Sequence, residues 1–256
     1  MADPHAPRRR CCEFRFYGPL NDFLPAPWRQ QRLPYHFSGS PGLRDSVQAQ
    51  GVPHCEVALT LVDGEPRPPE HRLLGDERVS VYPRFHRLAP LPEPQWRPPL
   101  PDPPRFILDV HLGSLSRHLR LLGFDSRWGN DFEDPFIIDQ ALAEERIILT
   151  RDLGILKQGR VRHGYFVRHT DPERQIAEVV DTFDLTPRLD PLSRCINCNG
   201  ELERVEKSQV LAELPEGTRR CYDTFFRCRR CGQVYWRGAH YGGLMKKLAL
   251  RLPHDF

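Results

Sequence analysis

The chain has 256 residues, 39% of them hydrophobic and 28% charged, enough for one large domain or a few small ones. Its net charge of +3, from 37 basic and 34 acidic side chains, excludes a histone-like polycation and an acidic tail. No stretch approaches the ~20 apolar residues of a membrane helix, and MADPHAPRRRCCEFRF lacks the apolar core of a signal peptide, so a cytoplasmic protein without membrane contact is expected.

Residues 13–17 (EFRFY) alternate apolar and polar side chains and predict a half-buried strand; 33–37 predict a second. Residues 42–50 place Leu43 and Val47 one helical turn apart, with Gly51 set as a C-terminal cap. Residues 57–62 predict a strand entering an Asp63-Gly64 turn, and 78–82 another strand. Strand, strand, helix, strand, strand describes a small α+β domain over residues 11–85. The stretches FYGPLNDFLP, GVPHCEV, LTLVDGE and GDERVSVYPRF resemble ubiquitin-like β-grasp domains related to small sulfur carriers. Carrier chemistry needs a free Gly-Gly terminus, whereas Tyr82-Pro83-Arg84-Phe85 runs on into the chain. The expected role is therefore that of a module that engages a protein partner or presents a substrate.

Residues 86–105 hold eight of the 26 prolines. Lacking amide donors and favouring polyproline II, they cannot join a helix or a central strand. Residues 86–104 read as a semi-rigid linker.

Beyond it, 105–109 (RFILD) predict an apolar strand ending in an acid, and Leu112, Leu115, Leu119 and Leu122 form one helical face closed by Gly123. A short strand at 124–128, a helix at 136–143 and a buried strand at 146–150, running into Arg151-Asp152, continue the pattern. A strand at 165–167 and a helix at 173–183 complete an α/β domain over 105–190, a parallel sheet with helices on both faces. Ligands of such sheets gather at the carboxyl ends of strands, where Asp109 and Asp152 fall. Asp131, Glu133 and Asp134 (NDFED) precede the second helix. Converging carboxylates repel unless a hard cation such as Mg²⁺ or Mn²⁺ sits among them; the same acids also suit helix caps and dipoles. Arg117, Arg120 and Arg151 are suited to phosphate contacts or to neutralising these acids.

Residues 191–256 carry Cys195-x₂-Cys198-Asn-Gly and Cys228-x₂-Cys231-Gly. Four thiolates close a tetrahedral shell around Zn²⁺ and leave no open position, which makes a structural zinc ribbon the expectation, with an iron–sulfur cluster or redox dithiol as the alternative. Cys11, Cys12, Cys55 and Cys221 read as free thiols. The net charge of −3 over 105–190 gives way to +5 over 191–256, where Arg219, Arg220, Arg227, Arg229, Arg230, Lys246, Lys247 and Arg251 offer a backbone-binding surface. Trp236, with Phe225, Phe226 and Tyr235, either stacks unpaired bases or builds the ribbon's own core.

Residues 105–157, FILDVHLGSLSRHLRLLGFD followed by NDFEDPFIIDQALAEERIILTRDLGILK, resemble the PIN-like ribonuclease domain named after the C-terminal region of the mutator-seven exonuclease. The likeness continues through HGYFVRH, PERQIAEVVDTFDL, PLSRCINCNG and FRCRRCGQVYWRGAHY, and a bacterial branch of that family has a ubiquitin-like domain ahead of the nuclease domain. The resemblance implies a PIN-like fold with Asp109, Asp131 or Asp134, and Asp152 as metal-binding catalytic carboxylates. His111, His118 and Pro135 depart from the family pattern, and Glu133 is a substitute ligand. The expected activity is metal-dependent hydrolysis of single-stranded RNA, with Arg117, Arg120, Arg151, Arg229, Arg230 and Trp236 as RNA contacts. A catalytically silent RNA-binding adaptor is the alternative.

Overall fold

A computed structural model describes residues 9–84, 93–94, 96–238, 241–243 and 245–246. The chain opens with β1 (Arg10–Phe16), β2 (Leu33–Phe37), α1 (Leu43–Ala49), β3 (Val57–Val62), β4 (Glu65–Pro66) and β5 (Arg78–Pro83). It continues with β6 (Phe106–Leu108), α2 (Gly113–Leu121), β7 (Ser126–Arg127), α3 (Asp134–Ala143), β8 (Ile147–Thr150), α4 (Leu153–Leu156), β9 (Gly164–Phe166) and α5 (Pro172–Thr182). The last elements are β10 (Leu202–Val205), α6 (Lys207–Val210), α7 (Glu216–Cys221), β11 (Phe225–Cys228) and β12 (Val234–Trp236). They divide into two compact units, one of residues 1–100 with 152–166, the other of 101–151 with 167–256. Residues 152–166 thus cluster with residues 1–100, and 191–256 with the α/β residues.

In the first unit, the two-residue period of β1 buries Cys12, Phe14 and Phe16 and exposes Glu13 and Arg15. β1 runs antiparallel to β2 and parallel to β5, within a five-stranded sheet of order β2-β1-β5-β3-β4. Leu43 and Val47 from α1 pack on it with Leu20, Val79 and Val81, each side chain contributing roughly 1.5–3 kcal/mol by leaving water. Asp63 and Gly64, with φ of 50° and 91°, make the two-residue turn between β3 and β4; glycine adopts this backbone without steric cost. Within the run expected as a linker at 86–104, Trp96 is anchored to this unit. It is buried in this unit's core, and its Nε1–H donates to Thr60 Oγ1 at 2.5 Å. Residues 86–92 and 95 lie outside the described residues.

In the second unit β6 is flanked by β7 and β8, both parallel to it. All four residues of β8 and all three of β6 are buried, as strands covered on both faces require. Leu112, Leu115, Leu119 and Leu122 are each at most 1% exposed, so the leucine stripe of α2 is its core face. Gly123 ends the helix at φ +99°, and a Cβ there would stand 2.3 Å from the Asp190 carbonyl oxygen. The chain at 190–192 crosses this helix end closely, with the Asp190 N–H donating to Leu122 O at 3.0 Å and the Leu192 N–H to Leu121 O at 3.3 Å. This seam is why the ribbon does not separate from the α/β residues at 190. The ribbon is an antiparallel sheet of order β10-β11-β12, and the long gap between its cysteine pairs holds β10, α6 and α7. Val210, Leu214, Phe225 and Val234 form its core. No helix among the described residues is long and apolar enough to cross a membrane.

Candidate active site and cysteine centre

Asp109 follows β6 and is 4% exposed. Its Oδ1 accepts the His111 N–H at 2.8 Å, which caps the turn at Val110–Leu112. Its Oδ2 accepts the Arg151 N–H at 2.8 Å and a short bond from the Thr150 hydroxyl, both from the end of β8. An ionised carboxylate has about four lone-pair sites. Three donors hold Asp109 in place and leave one of those lone-pair sites without a hydrogen bond among the described residues. Thr150 was not singled out in the sequence; its signal is its place as the last residue of an apolar strand.

The other acids are exposed. Asp134 opens α3, in the first turn, where a carboxylate suits the helix dipole; Asp131 and Glu133 lie in the preceding loop. Asp152 caps α4, its Oδ1 accepting the Gly154 N–H at 2.6 Å. Among the described residues, Asp109, Asp131 and Asp134 do not form a group close enough to share one ion without rearrangement. The one group of three or more acidic, histidine or cysteine ligands among the described residues that does so is the cysteine quartet.

Those four cysteines offer sulfurs all within 4.8 Å of one another, with Cys195–Cys231 at 3.6 Å and Cys198–Cys228 at 3.4 Å. Disulfides need about 2.05 Å, whereas a tetrahedron of Zn–S bonds near 2.3 Å has edges of roughly 3.8 Å. The quartet could hold zinc. Backbone N–H groups of Arg230 and Cys231 point at Cys228 Sγ, each at 3.4 Å, and the Tyr235 hydroxyl lies 3.2 Å from Cys195 Sγ. Burial raises the Cys195 thiol, but Tyr235 and the backbone at Cys198 and Asn197 outweigh it and bring it down to about 7. By contrast, burial pushes Cys12 and Cys55 up to about 12, as expected of inert free thiols.

Two of the arginines expected at RNA, Arg120 and Arg151, bond to backbone carbonyls. Arg120 is 4% exposed; its guanidinium donates to the carbonyls of Ser126 (2.9 Å), Ile196 (3.1 Å) and Asn197 (3.0 Å). These bonds engage Nε and one terminal nitrogen, and the residue still lines a cavity of about 410 Å³ with Arg127, Trp128 and Arg230. Burial pushes its guanidinium down, and the nearby Cys195 and Cys198 sulfurs counter this. Arg151 spans three consecutive carbonyls, Val167, Arg168 and His169, at 2.7–2.9 Å, and so braces the backbone past β9. Arg229 faces Glu203 and Glu201. Arg117 and Arg230 are exposed. Arg117 lines a cavity of about 540 Å³ with His118, Tyr235, Trp236 and Tyr241. Trp236 is half-buried there, packed against the ribbon core and tilted on Phe225 at 6.4 Å between ring centroids. Lys247 and Arg251 lie outside the described residues.

Asn199, the residue after the first cysteine pair, joins the ribbon to the α/β residues. Its Oδ1 accepts the Ser126 N–H at 3.0 Å, and its amide donates to Asp125 at 2.7 Å. Burial alone would raise Asp125, but the Arg146 guanidinium and this amide hold it below the usual carboxylate range.

Two family models match the chain: one described as Mut7-C RNAse domain, over residues 104–248, and one described as Mut7-C ubiquitin, over residues 10–89. No curated protein and no solved structure matches it.

Proposed function

Because the chain belongs to the Mut7-C RNase family, we propose that it is a divalent-metal-dependent ribonuclease hydrolysing phosphodiester bonds of single-stranded RNA in the cytoplasm. The observation that carries this reading is Asp109: a buried carboxylate at a strand's carboxyl end, held by three donors with one lone-pair site left without a hydrogen bond among the described residues. Mg²⁺ or Mn²⁺, when bound, supplies Lewis acidity at the phosphate and lowers the pKa of an attacking water. Asp109 and Asp152 are the proposed anchors for that ion, and Asp131 and Asp134 complete the acidic set or orient the water. Arg117 and Arg230 are proposed to hold the RNA backbone, with Arg229 joining after exchanging its glutamate partners. Trp236 would stack an unpaired base at the cavity it lines. Zn²⁺ on Cys195, Cys198, Cys228 and Cys231 is proposed as structural, with all four positions taken by sulfur.

End-labelled single- and double-stranded RNA and DNA, incubated with the metal-reconstituted protein, test the reading. Mn²⁺-dependent laddering of single-stranded RNA is expected, and Asp109→Asn/Asp152→Asn should abolish it while sparing RNA binding. Undiminished cleavage by that double variant would overturn the assignment. One observation favours a second reading, a silent RNA-binding adaptor: Asp109, Asp131 and Asp134 are not gathered into a single tight group. RNA binding without turnover in Mg²⁺, Mn²⁺ and Co²⁺ would decide for it.

A further inference from the structure

Residues 152–166 match the ribonuclease family model, yet they pack with the ubiquitin-like residues. Their backbone shows why. α4 has only four residues, too few to hold itself against the cost of helix nucleation. The Lys157 and Gln158 N–H groups meet the carbonyls of Leu153 and Ile155, but no further helical turn supplies donors for those of Leu156 and Lys157. The ubiquitin-like residues supply the donors. Cys55 Sγ–H donates to Leu156 O at 3.4 Å, and the Gln48 amide to Lys157 O at 3.2 Å. The Arg44 guanidinium donates to Gly159 O at 2.8 Å, and His54 Nε2–H to Val161 O at 2.9 Å. At the far end of the segment the Phe166 N–H donates to Glu56 Oε1 at 2.5 Å, and the Phe166 ring meets Phe23 edge-on at 5.8 Å.

We propose that the ubiquitin-like unit is a clamp in cis, whose residues Arg44, Gln48, His54, Cys55 and Glu56 are positioning residues for Asp152, the first residue of the segment they hold. The part concerning Asp152 rests on the ribonuclease reading above; the clamp itself does not. Five side-chain bonds from one short stretch, residues 44–56, each meet a backbone group of the segment. A surface that only recruits an outside partner has no need of them. The clamp fixes where the Asp152 carboxylate stands, and therefore how firmly a divalent ion is held.

The test uses the full chain with Arg44→Ala/Gln48→Ala, which removes two half-buried donors from α1 without emptying the core. Arg32→Ala, at the exposed pair with Glu13, is the control. Hydrogen exchange of peptides covering 153–166 should quicken roughly tenfold or more, with β1 and β5 as protected as before. The half-saturating Mn²⁺ concentration should rise and kcat fall, at unchanged KM for single-stranded RNA. Should β1 and β5 also lose protection, the single variant Gln48→Ala takes the double variant's place. Unchanged exchange in 153–166 overturns the clamp. Faster exchange with unaltered Mn²⁺ dependence and kcat overturns the positioning of Asp152. A wild-type chain that cleaves RNA in no metal overturns the ribonuclease reading instead, and the exchange result still decides the clamp.

Discussion

Arg120 and Arg146 are both almost fully buried, and their different partners predict different failures. Arg146 makes a two-pronged pair with Asp125, at 2.7 and 3.1 Å, and also reaches Glu144 and Phe106 O. Arg146→Ala takes the guanidinium from the Asp125 carboxylate, leaving it the Asn199 amide, and should cost about 3–5 kcal/mol in urea unfolding. Arg120 has only carbonyl partners, two of them in the first cysteine knuckle, beside sulfurs that with zinc would carry a net charge of −2. Arg120→Ala should therefore speed zinc loss to a chelator and lower Tm, while the affinity of the folded protein for RNA stays within about twofold. Arg117→Ala, at an exposed cation, should do the reverse: unchanged Tm, weaker RNA binding and a shallower salt dependence. A filter-binding titration at two salt concentrations distinguishes the pair.

At the level of elements, periodicity carried most of the ubiquitin-like sheet and the leucine face of α2. Strand β3 has the expected bounds, and β1, β5 and α1 differ only at their ends, because alternation and helical spacing are local properties of side chains. The carboxyl-end position of Asp109 was legible for the same reason. What local pattern could not give was partnership. Trp96 sits in a proline-rich run that reads as spacer, and partners far away in sequence, Ala58, Thr60 and Arg67, make it a core residue. Arg120 reads as a surface cation off the leucine stripe, and only the carbonyls of Ile196 and Asn197 reveal it as internal. The cysteine spacing was legible because metal ligation imposes local geometry, but α6 and α7 between the pairs were not foreseen. Their small core of Val210, Leu214, Phe225 and Val234 is meagre for independent stability. Chelation should accordingly melt β10–β12 and release α6 and α7 with them; exchange of residues 202–236 should approach unprotected rates, while β6 and β8 remain slow.

Across the whole molecule, acidity should act through the first unit. Burial, then the Arg44 charge, lower His54 to about 4, and burial, then Arg97 and Arg84, lower His163 to about 4. The buried Nδ1 of His54 has no hydrogen-bond partner among the described residues, and Nε2 faces the Val161 carbonyl, so the folded ring resists protonation. Between the unfolded value near 6.5 and about 4 the unfolded chain binds the extra proton and the folded one does not. Stability is therefore complete above that window and falls as pH drops through it, by roughly 3 kcal/mol for His54 alone. Urea midpoints at pH 7.5 and 4.5 measure the loss, and His54→Gln, which keeps a donor for Val161 O, should flatten it.

The chain enters the first unit, leaves after residue 100, returns at 152 and leaves again after 166. Synthesis from the N-terminus therefore delivers a ubiquitin-like sheet whose α1 and neighbouring turn must wait for their partner segment. At ~5–20 residues per second that wait lasts roughly 3–13 s, during which Arg44, His54 and Glu56 lack the partners they take at 159, 161 and 166. The nascent protein is thus most open to holdases and proteases at the stage when its first hundred residues look finished. A fragment cut at residue 100 would preserve that unfinished state.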